Sequence, residues 1–396
     1  MSSTTVETSF GERLERRILG TYETGRPGPT MLIQGGIHGN EPAGVHALNR
    51  VLERLTSERL EVHGKFVAIA GNLGALERGE RFLDRDLNRL WSASTVQHLE
   101  AQDPAHDCTE DREQRELISV YQDVQRQARG PVVFIDLHSS SADGPPFTCL
   151  ADTLANRNIA AAVPVPMILG LEESIDGAVM DYFTYRGLVA FAIEGGRHEE
   201  PSTVDNLEAA IWITLVTAGF LEPDQTDLAK HHETLRRSSA GAPPVVEITY
   251  RHVLRPTDKF SMQPGFTSFQ RVERNSLLAH DHTGPVFAPQ GGRILLPLYQ
   301  GKGEDGFFLC RDVRPFWLGF AKWLRHARLD RFLHWLPGVK RSPDDPNTLV
   351  VNPAIARWFV VEIFHLLGFR RRRTVGGRLT FTRRWTEPSA QRAYDQ

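Results

Sequence analysis

His38 and Glu41 stand three residues apart in Gly35-Gly-Ile-His-Gly-Asn-Glu-Pro42, and His138 closes the apolar run Val132-Val-Phe-Ile-Asp-Leu137. Two imidazoles and one carboxylate are a common ligand set for catalytic zinc, which keeps its fourth position open for water. The pair His38/Glu41 would not carry that reading alone. Roughly one H-x-x-E is expected by chance in a chain of this length and histidine content. A helix start with Glu41 near its positive end would explain the pair equally well. His138, delivered by a second strand, turns a common dipeptide spacing into a candidate metal site.

The elements that must position these residues are legible as a repeating pattern. Met31-Leu32-Ile33 reads as a buried strand, and Gly35-Gly36 permits a tight turn after it. Pro42 suits the first turn of a helix, whose apolar stripe runs through Val45, Leu48, Leu52 and Leu55. A second strand, Lys65–Ala70, ends at Gly71-Asn72, and 110–129 has helical spacing in Leu117, Val120, Tyr121 and Val124. The strand 131–137 ends at His138, and the strand 188–193 ends at Glu194-Gly195-Gly196. Ser202 or Thr203 then caps a helix through Leu207, Ile211 and Leu215, stopped near Gly219. Alternation of this kind over 30–221 predicts an α/β layer architecture. In open α/β sheets the ligand crevice lies outside the carboxyl ends of the strands. His38, Glu41, Asn72, His138 and Glu194 all fall there, so residues far apart in the chain can meet.

The remaining sequence changes texture twice. Residues 1–222 read as the catalytic domain, and 223–245 as a polar linker containing Ser238-Ser-Ala-Gly-Ala-Pro-Pro244. Residues 246–310 are short apolar runs broken by Gly and Pro, the pattern of a small β domain. From 311 to 396 the chain holds five of its seven tryptophans and carries 17 Lys and Arg against 7 Asp and Glu. Two helical patterns, 315–336 and 353–368, precede Arg370–Arg373, so this part reads as a basic helical extension.

The chain has 396 residues and a formal charge of −3, so 1–310 is acidic and the tail basic. The tail's arginines and tryptophans suit an anionic membrane surface. Charge complementarity favours instead packing on the acidic body or at a subunit interface of a homo-oligomer. No nucleic-acid partner is expected. Cys108, Cys149 and Cys310 lie far apart, which argues against a disulfide framework and fits a reducing compartment. The absence of an apolar N-terminal run and of any long apolar stretch makes a cytoplasmic location the expectation.

Four segments together resemble the succinylglutamate desuccinylase/aspartoacylase family, relatives of the zinc carboxypeptidases. Gly35–Gly44 is similar to that family's zinc loop. Gly71–Leu76, Arg78–Phe82 and Asp86-Leu-Asn-Arg89 are similar to its substrate-binding segment, Asp136–Ser140 to its third-ligand motif, and Ala192–Gly196 to the strand carrying its catalytic glutamate. The resemblance implies a mixed, largely parallel sheet flanked by helices with a small C-terminal β domain. It implies one Zn2+ per subunit held by His38, Glu41 and His138, with Glu194 as general base and then acid. It further implies Arg81 as oxyanion stabiliser, and Asn88, Arg89 and the Asn72 segment as binders of a small anionic N-acyl amino acid. Tyr299, in Pro-Leu-Tyr-Gln-Gly, is a further residue that could reach the site from the β domain. Arg186 lies near where some members carry another carboxylate-binding arginine.

The expected activity is hydrolysis of an N-acyl amide. Its alternatives are a zinc carboxypeptidase acting on peptides, and a non-catalytic member whose tail binds a membrane or a partner. Two departures stand out: Leu73 where family members often have Pro, and Gly-Gly-Arg-His after Glu194, unlike animal aspartoacylases. Gly301–Gly306 spells G-x-G-x-x-G but precedes Phe307-Phe-Leu rather than a helix, so a hairpin turn is expected there instead of a dinucleotide site.

Overall fold

The computed structural model of the chain describes residues 17–326 and, beyond them, 333, 335, 337–342, 348–352, 369–375 and 378–383. Its main sheet is built from β1 (Ile18–Glu23), β2 (Arg26–Gly35), β3 (His63–Ala70), β4 (Val132–Ser140), β5 (Phe147–Leu150), β6 (Met167–Leu169), β7 (Val189–Arg197) and β8 (Val245–Val253). The order across the sheet is β1-β3-β2-β4-β7-β5-β6-β8. The centre is parallel, from β3 through β2 and β4 to β7, while β1 and β5 run antiparallel to their neighbours β3 and β7.

Continuous apolar runs form these central strands because both faces of the sheet are covered. Along β2, Met31 and Ile33 enter one core and Leu32 the other, and all three are fully buried. The first core is closed by the helices Ala43–Ser57 and Pro201–Thr217. The helices Thr109–Gln127 and Val179–Thr184 close the second, where Phe134 stacks on Phe183 with ring centroids 4.0 Å apart. In the helix Ala43–Ser57, Val51 rather than Leu52 completes the fully buried stripe, and Leu52 lies at its edge.

The sheet does not stop where the catalytic half was expected to end. β8 pairs parallel with β6, and the strands Asp305–Asp312, Gly292–Leu295 and Arg271–Val272 continue beyond it, giving eleven strands in all. A separate three-stranded sheet, Ser261–Met262, Leu277–Asp281 and Gly284–Phe287, packs with them around Leu278, Phe307 and Leu309. The β-rich segment is therefore present, but hydrogen-bonded into the main sheet.

Two expectations are corrected. The stretch 223–245 is no open linker: it holds the helix Leu228–Ser238, capped by Asp227 and anchored by the buried Leu235. The tail is not wholly helical. It has a helix, Pro315–His326, followed by an antiparallel sheet of Val339–Arg341, Thr348–Val351, Arg378–Arg383 and Phe369–Val375. Arg370–Arg373 lie on the last of these, where β pairing of the alternating Leu379/Phe381 strand prevails over any helical periodicity. The expected helix over 353–368 lies outside the described residues. Among the described residues, no helix is long and apolar enough to cross a membrane.

Candidate active site

β2 ends against the backbone of the helix it feeds. A Cβ on Gly35 would lie 2.6 Å from the carbonyl carbon of Gly44, and Gly36 turns the chain at φ +72°. The Glu41 amide then donates to the His38 carbonyl (3.1 Å), which folds the segment so that both side chains face inward. The register of the parallel strands does the rest. Gly35 is opposite Leu137 on β4, and His138 is opposite Glu194 on β7. The three ends thus meet at one level.

His38, Glu41 and His138 are all buried, and each offers a ligand atom within 4.8 Å of the others. His38 Nδ1 lies 2.8 Å from Glu41 Oε1, and His138 Nδ1 lies 3.0 Å from Glu41 Oε2. The opposite ring nitrogens are held by other carboxylates: His38 Nε2 donates to Asp86 (3.2 Å) and His138 Nε2 to Asp136 (2.8 Å). A proton fixed on each Nε2 leaves each Nδ1 as a lone pair aimed at a carboxylate oxygen. Acceptor then faces acceptor twice, an arrangement that requires a cation or extra protons between them. Histidines whose far nitrogen is tied to a carboxylate are oriented as metal ligands are. The donor set thus fits a divalent ion that accepts N and O ligands.

Charges in this cluster are strongly displaced. Burial would raise the Glu41 carboxyl, but the His38 charge and hydrogen bonds from His138 and His38 outweigh it and hold it well below the usual range. Burial would lower His138, yet Asp136 and then Glu41 lift it well above its ordinary value. Asp86, pushed up by burial, is brought down further by His38 and Arg81.

Glu194 behaves differently. Its Oε2 is buried and has no hydrogen-bond partner among the described residues. Burial lifts its carboxyl to about 7, with the Glu41 charge adding and His138, His38 and Arg81 opposing. A carboxylate of that kind beside a candidate metal-binding cluster can accept a proton near neutrality and return it.

The other expected site residues divide. Arg81 lines the same pocket and binds Glu41 (3.2 Å) and Asp86 (3.3 and 3.2 Å), using three of its five donors. Asn88 and Arg89 also line it. Asn88 is aimed by the Val179 amide, which donates to its Oδ1 (2.8 Å). Arg89, however, is engaged by Asp305 and Glu304 from the β-rich part. Asn72 is not brought to the pocket. Its Oδ1 caps the helix Leu73–Arg78 at Ala75, and its Nδ2 donates to Glu110. Tyr299 is likewise turned away, its hydroxyl accepting from the Phe266 amide and donating to Gln263 O (2.8 Å). Arg186 lies over the Tyr182 ring at 3.5 Å.

Four contributors went unread in the sequence. Asp136 sits two residues before His138 on one strand, hence on the same side, a signal that was available. Asp86 opens the Asp-Leu-Asn-Arg segment, and its role follows only from the fold. His198 and Gln300 line the pocket from distant segments, His198 Nε2 lying 3.2 Å from Gln300 Oε1. No local signal marks them.

The class is set by these features: an α/β domain with its polar residues gathered at the carboxyl ends of parallel strands. Residues 27–198 match the succinylglutamate desuccinylase/aspartoacylase catalytic domain, and over that segment the chain is similar to that family. Over 65 residues the chain is 40% identical to succinylglutamate desuccinylase of Pseudomonas paraeruginosa, which is 16% of this chain and 20% of that protein. The match thus spans about a fifth of the curated relative's length. The fold is similar to the succinylglutamate desuccinylase/aspartoacylase structure from Rhodobacter sphaeroides, with TM-score 0.54 and 21% identity over 73% of this chain and 87% of that one. It is also similar to the product-bound ectoine utilization protein EutE (DoeB) of Ruegeria pomeroyi, with TM-score 0.52 and 18% identity over 74% and 87% of the two chains.

Proposed function

We propose that the chain is a zinc-dependent amidohydrolase that removes the N-acyl group from an N-acyl amino acid or related small carboxylate. One Zn2+ per subunit would be held by His38, Glu41 and His138. The observation that carries the reading is the pair of imidazole Nδ1 atoms facing one carboxylate, each with its Nε2 tied to an aspartate. Bound there, the ion supplies Lewis-acid activation of water and of the scissile carbonyl.

The chain's own groups do the rest. Glu194 takes the proton from water at its partnerless carboxylate oxygen and delivers it to the leaving amine. Arg81, which spends three of its five donors on Glu41 and Asp86, stabilises negative charge developing on the acyl oxygen. Asn88 and Arg89 receive the substrate carboxylate, for which the planar guanidinium is suited. Asp86 and Asp136 hold the ligand rings in one tautomer and orientation.

Full-length protein loaded with zinc, offered a panel of N-acetyl and N-succinyl amino acids, should release free amine from at least one. A fully loaded protein that cleaves none of them would refute the reading. In parallel, His38→Ala should lose stoichiometric zinc by elemental analysis, and zinc retained at one per chain would remove His38 from the ligand set.

A further inference from the structure

Resting on the deacylase reading, we infer that the segment 296–305 is a specificity roof. Its acids Glu304 and Asp305 restrict the pocket to substrates with a single carboxylate and an apolar group, and disfavour dicarboxylates and tricarboxylates. The roof comes from the β-rich part and is pinned across the catalytic half. Tyr299 N donates to Ser141 Oγ (3.1 Å), Gln300 Oε1 accepts from Asn40 Nδ2 (2.7 Å), and Lys302 Nζ donates to Glu80 (2.6 Å) and to Phe82 O (2.8 Å). Its position over the site is therefore fixed by contacts at three of its residues.

The charge that the roof brings is directed at one arginine. Arg89, 15% exposed at its side chain, donates from Nη2 to Asp305 (2.9 Å) and lies 3.4 Å from Glu304 through Nε. Asp305 is held from its other side by Arg251, which also donates to the Ser174 carbonyl. That carboxylate is locked in place. Glu304 is not: its side chain is 49% exposed, and Arg89 Nε, though buried and near it, makes no hydrogen bond among the described residues. One donor of Arg89 is thus open to one incoming carboxylate, which would displace Glu304. A second carboxylate would face Asp305 and the displaced Glu304. Leu171, Ile175, Met180, Ala192 and Phe308 give the same pocket an apolar lining that offers a second carboxylate no partner. An unpaired carboxylate against such a lining is strongly disfavoured, whereas an aliphatic group gains by its burial.

The test uses the full-length zinc-loaded protein and its Glu304→Gln variant. Kinetics compare N-acetyl-leucine with N-acetyl-aspartate and N-succinyl-glutamate, and calorimetry measures binding of the amino acids leucine and glutamate. The wild type should favour the monocarboxylate in kcat/KM by about tenfold or more, and Glu304→Gln should raise the dicarboxylate-to-monocarboxylate ratio by about tenfold. Wild-type preference for the dicarboxylates, or a ratio unmoved by Glu304→Gln, would overturn the inference. The calorimetric arm separates this from failure of the deacylase reading. Should no acyl amide be cleaved, tighter binding of leucine than glutamate, narrowed in the variant, still supports the roof; equal binding of the two refutes it.

Discussion

At Glu194 the backbone and the side chain have different tasks. Its strand pairing sets it opposite His138, while one buried carboxylate oxygen has no hydrogen-bond partner among the described residues. A Gln in its place would keep shape and lose the ability to take a proton. Glu194→Gln should therefore retain zinc at one per chain while kcat falls by ~10²-fold or more, and a turnover equal to wild type would exclude Glu194 from proton transfer. The residues that meet at this site were legible in the sequence where a strand end and a residue type coincide, as for His38, Glu41, His138 and Glu194. Asn72 stands at a strand end too, but its short amide is taken up as a helix cap, a use that residue type serves well. Tyr299 and Gln300 are neighbours in sequence, yet only Gln300 lines the pocket. No pattern in one strand of sequence could separate them, because the choice depends on which way the roof is pinned.

At the scale of elements, the loop carrying His38 and Glu41 and the helix Leu73–Arg78 are in backbone contact. A Cβ on Gly39 would lie 2.0 Å from the carbonyl carbon of Ala75, and the Gly39 amide donates to the Arg81 carbonyl (3.2 Å). Gly39→Ala must push the loop off the helix, with His38 one residue away. We expect a lowered unfolding midpoint, as overpacking typically costs about 1–3 kcal/mol, together with weakened zinc binding in a competitive chelator titration. Zinc affinity and midpoint both equal to wild type would show that the loop has room to spare. Elements with strong apolar periodicity were readable: β2, β4, β7 and their covering helices follow from it. The helix Leu228–Ser238 was not, since few apolar residues mark its buried side, and its signal lay instead in the Asp227 cap. The strands Phe369–Val375 and Arg378–Arg383 had a signal of another kind. Val375 pairs with Arg378 across two intervening glycines, a hairpin spacing that the arginine run obscured.

At the scale of the molecule, that same helix ties the outer layer to the core through a histidine. The His231 ring stacks on Trp212 (centroids 6.1 Å, 17° between planes), Thr226 Oγ1 lies 3.1 Å from its Nε2, and Arg54 covers the same indole at 4.7 Å. Burial, aided by the Arg54 and Lys230 charges, lowers His231 to about 4. Its folded pKa is thus below its unfolded value, so between the two the unfolded chain binds more protons. The stability it contributes is complete above about pH 6.5 and is lost as pH falls toward 4. Urea unfolding at pH 7.5 and 4.5 should differ by a component of roughly 1–2 kcal/mol that disappears in His231→Gln; an identical pH slope in the variant would rule out His231 as its source. The change of texture near residue 245 was visible in composition, but composition does not report hydrogen bonding across a boundary, and the sheet runs straight through it.

That continuity bears on how the protein can be handled. Cutting the chain after residue 222 would strip β8 from β6 and leave β6 as a bare edge whose backbone groups face water or another copy. Exposed edges of this kind template intermolecular pairing. The cut would also remove the residues that pair with Arg89 and one apolar side of the cleft. The segment that matches the family model, 27–198, thus ends inside a sheet that continues past it, and a fragment for crystallisation or engineering should carry the strands through Asp312.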